Sequence, residues 1–310
     1  MIHVRQLDSI QLDKPSMVTI GVFDGVHRGH QKLISQLVEE AHAANRQAVV
    51  LTFHPHPDVV LGGVTGRYYL TSPEQRAELL GDMGVDVVVT HPFNTEIREI
   101  RAASFVDQLI QYLNMTCLRV GKDFTLGYQR EGNVAYLTEL GNEKGYEVRP
   151  IELLTLNGDE ERISSSVIRD LLQSGDVKKA NDLLGRPYSV SGEVILGDQR
   201  GRTIGFPTAN MSIWDEQVLP QQGVYAGWVT LGDERFMAVS NLGVRPTFDG
   251  QTLSLEAHLL DFDRDIYGEM LTFTFEHRLR SEKKFDGLES LKAQLNQDIA
   301  SGRELLSQGG

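Results

Sequence analysis

Met17-Val18-Thr19-Ile20-Gly21-Val22-Phe23-Asp24-Gly25-Val26-His27-Arg28-Gly29-His30 decides the fold of the first half of the chain. An apolar, β-branched run enters a glycine-rich turn that carries His27 and His30. Behind the turn, Leu33, Ile34, Leu37, Val38 and Ala41 recur at helical spacing. The stretch therefore reads as strand, tight turn, helix start. Such a turn presents unpaired backbone N–H groups at the positive end of a helix, which is a cradle for phosphate. The spacing His27-x-x-His30 sets both imidazoles on one side of the first helical turn, where they add hydrogen bonds or positive charge. It does not favour a metal, because no helical i,i+4 pair and no third ligand lie nearby in sequence.

Outward from this turn the pattern alternates. Gln47 to Phe53 is a strand. Ser72 caps a helix that opens at Pro73 and stops near Gly84. Val85 to Thr90 is a strand, Ala103 to Leu113 a helix, and Cys117 to Gly121 a strand again. Buried strands interleaved with helices predict a parallel sheet covered on both faces. Ligands of such sheets lie beyond the C-terminal strand ends. The Gly21 turn, His54-Pro55-His56-Pro57 and Gly121-Lys122-Asp123 should then share one rim. The prolines predict an ordered loop over 54–57 that shapes a nucleotide pocket. Asp123 either binds a ligand or braces its own turn. In Arg162-Ile163-Ser164-Ser165-Ser166-Val167-Ile168-Arg169 the serines read as helix caps, or, with the flanking arginines, as triphosphate contacts.

The second half has another style. A helix from Val177 to Leu184, capped by Ser174 or Asp176, ends at Gly185. After Pro187 come short alternating runs: Tyr188 to Ile195, Gly223 to Val229, Arg235 to Ser240, Ser254 to Leu260 and Leu271 to Phe275. They predict an antiparallel barrel or sandwich, closed on one side by an amphipathic helix over Leu288 to Ile299. The 310 residues accordingly divide into domains at 1–185 and 186–310. Within Gly197-Asp198-Gln199-Arg200-Gly201-Arg202-Thr203-Ile204-Gly205-Phe206-Pro207-Thr208-Ala209-Asn210, the glycines permit close backbone approach to phosphates, although the Gly-Lys-Ser/Thr ending of a P-loop is absent. Thr208 and Asn210 place two oxygen ligands on one face of an extended segment, a set that suits Mg²⁺ shared with phosphates. Glu256 stands among apolar residues of an alternating strand. It is either a solvated side chain or a carboxylate that orients an acceptor hydroxyl and takes its proton.

The net charge is −13, with 30 basic and 43 acidic residues, and neither half hides a basic domain. That excludes general nucleic-acid or membrane binding. A single cysteine, Cys117, excludes an internal disulfide and a cysteine-rich zinc site and reads as buried. There is no long apolar run and no signal pattern, so the expected compartment is the cytoplasm.

The motifs together resemble a known family. A glycine-rich turn with HxGH and a downstream Ser-Ser-x-x-Ile-Arg is similar to the nucleotidyltransferase superfamily. Within it, GVFDGVHRGH, GKDFTLG and RISSSVIR resemble the adenylyltransferase module of bacterial bifunctional riboflavin kinase/FAD synthetases. GRTIGFPTAN, Gly223-Val224-Tyr225, Asn241 to Phe248, Leu255-Glu256-Ala257-His258 and Tyr267-Gly268 resemble the kinase module of the same enzymes. Leu126 stands where the family usually has Phe, and Ser166 where it has Thr; both keep the chemical character of the position. Asn133 follows Gly132 where a small or basic residue is common.

The resemblance implies a Rossmann-like nucleotidyltransferase domain followed by a β-barrel kinase domain with a C-terminal helix. It implies two reactions: riboflavin and ATP give FMN and ADP, then FMN and ATP give FAD and pyrophosphate. It assigns Gly21, Phe23, Asp24, Gly25, His27, His30, Asp123, Arg162, Ser164, Ser165 and Arg169 to the ATP of adenylyl transfer, with His27 and His30 catalytic. In the kinase it assigns Gly197, Gly201, Arg202, Gly205, Pro207, Thr208 and Asn210 to ATP. Thr208 and Asn210 hold Mg²⁺, and Glu256 is the base. Arg280, Glu282 and Phe285 border the flavin. No nucleic acid or membrane partner is implied, and self-association is weak at most. Two alternatives stand beside it: a nucleotidyltransferase for another phosphorylated metabolite, and a flavin-binding protein without ATP turnover.

Overall fold

The computed structural model of the chain describes residues 1–151, 163–197, 200–247 and 250–308. Its contacts divide the chain into two compact units. One comprises Met1–Thr65 and Thr71–Ser165; the other comprises Gly66–Leu70 and Ser166–Gly310.

In the first unit, six strands form one parallel sheet: β1 (Ile2–Val4), β2 (Ser16–Ile20), β3 (Gln47–Phe53), β4 (Val87–His91), β5 (Met115–Gly121) and β6 (Glu147–Ile151). Their order is β1-β4-β3-β2-β5-β6. Both faces of the strands are apolar, as a sheet covered twice requires. Ala48, Val50 and Val88 face helices α1 (Arg28–Ala43) and α2 (Pro73–Asp82), meeting Ile34, Leu37 and Leu80. Val18, Val49, Leu51 and Leu118 face helices α3 (Ala102–Leu113) and α4 (Val134–Lys144), meeting Val106, Leu109 and Leu137. Each Val, Leu or Ile among them contributes about 1.5–3 kcal/mol when fully buried. The chain steps outward from β2 to β3 and β4, then returns to the other side of β2 for β5. The order therefore reverses between β2 and β5, and the Gly21 turn leaves β2 at that switch point. The ends of β2, β3 and β5 share one rim, as the alternation required. Ser72 caps α2 in a full capping box with Gln75, with Pro73 in the first turn. The 54–57 segment differs from expectation. Pro57 opens a short helix, Pro57–Gly62, with His56 as its N-cap, because proline's missing N–H costs nothing at the first helical position.

In the second unit, helix α5 (Ser165–Ser174) is followed by α6 (Val177–Leu184), which Asp176 caps and Gly185 ends in the left-handed region at φ 72°. Strands β7 (Tyr188–Ile195), β8 (Ala209–Ile213), β9 (Gly223–Leu231), β10 (Glu234–Thr247), β11 (Gly250–Leu259) and β12 (Met270–Arg280) close into an antiparallel barrel of order β8-β11-β10-β9-β12-β7. Alternation sorts its residues. Leu255, Ala257 and Leu259 of β11 are buried inside, while Glu256 and His258 face outward. Helix α7 (Leu288–Gln308) lies over β9, β10 and β12. It runs well past Ile299, because Gly302 does not break it but brings it onto the barrel: a Cβ there would lie 2.9 Å from Val239. Asp298 of α7 is buried and receives Arg280 in a forked pair, with Nη2 to Oδ2 at 2.7 Å and Nε to Oδ1 at 3.0 Å. The segment 66–70 joins this unit through Arg67, which donates to the carbonyls of Trp214 and Gln217, and through Tyr69 against Trp214.

Candidate active sites in the two units

In the first unit the site grows from the turn after β2. Phe23, Gly25 and Val26 all have positive φ, at 51°, 78° and 40°. Three such residues in one turn mark a backbone held by its surroundings. The Phe23 ring fills the space a side chain at Gly21 would need: a Cβ there would lie 2.8 Å from it. Asp24 is buried, and its Oδ1 accepts from Thr71 N at 3.2 Å. Gly25 N donates to Thr71 Oγ1 at 3.2 Å. His27 caps α1: its Nδ1 accepts from His30 N at 3.3 Å, so the neutral ring carries its proton on Nε2. The His27 and His30 rings stack with centroids 3.6 Å apart, and Phe23 meets His30 edge-on at 5.2 Å. Burial, with the charges of His27 and Arg76 adding to it, holds His30 well below the usual histidine range. His30 is thus a neutral hydrogen-bonding group, and its Nδ1 is buried with no partner among the described residues. Ser165, the last residue of the first unit, donates from Oγ to the Asp24 carbonyl at 2.9 Å.

In the second unit two cavities meet at Thr208. One, of about 280 Å³, is lined by Glu256, Phe206, Asn241, Val239 and Phe285. The other, of about 370 Å³, is lined by Gly197, Asn210, Arg264 and Tyr267. Thr208 borders both, and its hydroxyl lies 3.4 Å from Glu256 Oε2. Asn210 and Asn241 stand directly across from Glu256 on its two neighbouring strands, so all three side chains leave the same face. Asn210 is buried with its Oδ1 unpartnered among the described residues. Gly197 closes on it so tightly that a Cβ would lie 2.2 Å from Nδ2. An orphaned amide oxygen beside a hydroxyl and a carboxylate fits a hard, oxygen-seeking cation. Among the described residues no cluster of three or more His, Cys, Asp or Glu side chains could hold a metal.

The comparisons with known proteins bear on both sites. A family described as FAD synthetase matches residues 9–167, and one described as riboflavin kinase matches residues 184–306. The bifunctional riboflavin kinase/FMN adenylyltransferase of Listeria monocytogenes is 39% identical over 288 residues, 92% of this chain and 91% of that protein. The chain belongs to the bifunctional riboflavin kinase/FMN adenylyltransferase family. The protein of that name from Escherichia coli K12 is 38% identical over 93% of this chain and 92% of its own length. A solved structure described as a macrolide-efflux protein from Streptococcus pneumoniae superposes with a TM-score of 0.84 at 30% identity, over 97% of this chain and 98% of that one. No helix among the described residues is long and apolar enough to cross a membrane.

The FAD-synthetase part thus precedes the riboflavin-kinase part, and the chain is a transferase of this family. In the FAD-synthetase unit the structure brings Gly21, Phe23, Asp24, Gly25, His27, His30 and Ser165 together at the turn. Ser164 precedes α5. Asp123 is exposed on the turn after β5, where Phe124 N reaches Gly121 O at 3.0 Å. Arg169 belongs to the second unit, with its guanidinium 3.9 Å above the Tyr68 ring and its Nε donating to the Tyr68 carbonyl. Arg162 lies outside the described residues, as does the side chain of Arg202. In the kinase unit Gly201, Arg280, Glu282 and Phe285 line the cavity of Glu256, and Gly197 and Pro207 line the other. Gly205 has φ 91° just after the one-turn helix Arg200–Thr203.

Arg76 of α2 escaped the reading of the sequence. It is fully buried, and its Nη1 donates to Val22 O at 2.8 Å, Thr52 Oγ1 at 2.9 Å and Phe53 O at 3.3 Å. One guanidinium thereby ties the Gly21 turn to the end of β3. Flanked by Glu74, Gln75 and Glu78, it reads in sequence as an exposed helical residue. Arg76→Met keeps the bulk but removes the buried donor to Thr52 Oγ1 and Phe53 O, while Val22 O keeps its bond from the Thr52 hydroxyl at 2.7 Å. The expected loss is about 3 kcal/mol of stability in urea unfolding, with FAD formation falling more than FMN formation. An unchanged unfolding midpoint would contradict the buried role.

Proposed function

We propose that the chain phosphorylates riboflavin to FMN in the region 186–310 and adenylylates FMN to FAD in the region 1–185, with ATP as donor in both and ADP and pyrophosphate as by-products. The observation that supports this most is the position of Thr208 between two cavities, with the Glu256 carboxylate 3.4 Å from its hydroxyl. A kinase needs a nucleotide and an acceptor to meet at one point, and these cavities meet there.

In this reading the flavin occupies the cavity of Glu256. Its apolar wall, Val224, Val239, Leu291, Leu295 and Ile299, suits a tricyclic ring. The ribityl hydroxyl lies at Glu256, which orients it and accepts its proton at a carboxylate oxygen as the phosphoryl group arrives. The nucleotide occupies the cavity of Gly197 and Asn210. A divalent cation, Mg²⁺ in this reading, would be held by Thr208 Oγ1 and Asn210 Oδ1, and when bound it neutralises charge on the phosphates.

For adenylyl transfer, the FMN phosphate is the nucleophile and is already an anion near neutral pH, so no general base is required. The backbone N–H groups at the start of α1, His27, His30, Ser164 and Ser165 position the ATP phosphates and stabilise charge on them. The compartment of this reading is the cytoplasm, where both substrates are available. The test is withdrawal and return of the cation. Purified protein with riboflavin and ATP should yield no FMN in excess chelator and recover on addition of Mg²⁺. FMN formation undiminished in chelator would contradict the assigned role of Thr208 and Asn210.

A further inference from the structure

His258 follows Glu256 by two residues on β11, so both side chains leave the outer face of the barrel while Leu255, Ala257 and Leu259 fill its interior. Its Nδ1 lies 2.7 Å from the carbonyl oxygen of Pro207. A carbonyl oxygen only accepts, so Nδ1 carries the proton and donates it. The ring also meets Phe206 edge-on, with centroids 5.9 Å apart. His258 therefore grips the two residues immediately before Thr208, one through the backbone and one through the ring. Pro207 itself has no N–H to donate and is exposed, while Phe206 N donates to Gly201 O at 2.9 Å on its other side. The next residue is the one that borders both cavities.

We propose that His258 is a positioning residue of the kinase site, which fixes the hydroxyl of Thr208 against Glu256 by clamping the Pro207 carbonyl. One strand then carries both the carboxylate that acts on the acceptor and the donor that sets the distance between the two cavities. The clamp has a distinctive property. Nδ1–H is a donor in this neutral tautomer and in the imidazolium alike, so the grip needs no proton taken up or released. A histidine acting as the base would do the opposite. Displacement of a positioned group by an ångström is enough to cost large factors in rate, so a side chain that never touches the reacting atoms can still have a large effect. The proposal rests on the kinase reading given above.

The test uses the full chain and measures FMN formation from riboflavin and Mg–ATP, alongside FAD formation from supplied FMN as a check on folding. In His258→Ala, kcat/KM for Mg–ATP should fall by about 10- to 100-fold, with FAD formation from FMN retained. In His258→Asn the amide Nδ2 takes the place of Nδ1–H, and kcat/KM should return to within about 3-fold of the parent with an unchanged pH profile. In His258→Gln the donor is displaced by one bond, and the loss should resemble that of the alanine variant. Full activity in His258→Ala would overturn the proposal. So would equal impairment of the Asn and Gln variants, which both keep an amide donor and decide the matter even if the alanine variant misfolds. Loss of the acid limb of the pH profile in His258→Asn would make His258 a base instead. If the parent protein forms no FMN at all, the kinase reading itself fails and the variants say nothing against the clamp.

Discussion

Glu256→Gln lowers the rate of FMN formation from riboflavin by about 10²- to 10⁴-fold while conversion of supplied FMN to FAD continues at the parent rate. The expectation follows from where Glu256 stands. Its side chain leaves the outer face of a barrel whose interior is already filled, so the fold does not need it. Asn210 and Asn241 flank it across the ladder, and Thr208 Oγ1 lies 3.4 Å away. The amide of glutamine keeps the shape and the place in the cavity, but it cannot accept the proton of an acceptor hydroxyl. Riboflavin should still bind, which fluorescence titration of the flavin would show. Comparable losses of both activities in a well-folded variant would contradict independent sites.

His30→Ala has the complementary effect: FAD formation falls by about 10²-fold or more, and FMN accumulates from riboflavin. The ring is stacked at 3.6 Å on His27 and held edge-on by Phe23, which leaves it little freedom to turn. Burial first, with the charges of His27 and Arg76 adding to it, holds its pKa low, so it is a neutral group whose Nδ1 has no partner among the described residues. In the proposed reading, a bound phosphate would change both conditions, supplying an oxygen and the negative charge that favours protonation. Truncation leaves His27 without its stacking partner, although the cap from His27 Nδ1 to the backbone of residue 30 remains. His30→Gln preserves much of the volume and should lose activity with less loss of stability. Time courses of FMN and FAD resolved by chromatography distinguish this from a general defect, because FMN should then rise without falling.

How much of this was legible in the sequence depended on the range of the forces involved. Local chemistry was readable: Ser72 and Pro73 opened α2, Asp176 capped α6, Gly185 ended it, and the period-2 pattern around Glu256 set which residues faced out. The apolar strands separated by helices gave the parallel sheet, and with it the rim on which the Gly21 turn lies. The rest was set by groups distant in sequence. Arg76 carries no local sign of burial, since its acceptors are Val22 O in the turn after β2 and Thr52 Oγ1 and Phe53 O of β3. The grouping of Gly66–Leu70 with the second unit rests on Trp214 and Gln217, far along the chain. The helix expected over Leu288 to Ile299 extends to Gln308, and a Cβ at Gly302 within that extension would lie 2.9 Å from Val239. In the candidate sites, the types of residue were apparent from their spacing. The stacking of His27 on His30, the shared border at Thr208 and the clamp from His258 became visible only in three dimensions.

The central claim is that one chain carries riboflavin through FMN to FAD, and a single time course tests it most directly. Purified protein is mixed with riboflavin, excess ATP and Mg²⁺, and riboflavin, FMN and FAD are separated and quantified as the reaction proceeds. The account predicts that FMN appears without delay, that FAD follows after a lag, and that the sum of the three flavins stays constant. Riboflavin left unconsumed, or FMN formed with no FAD to follow, would contradict it.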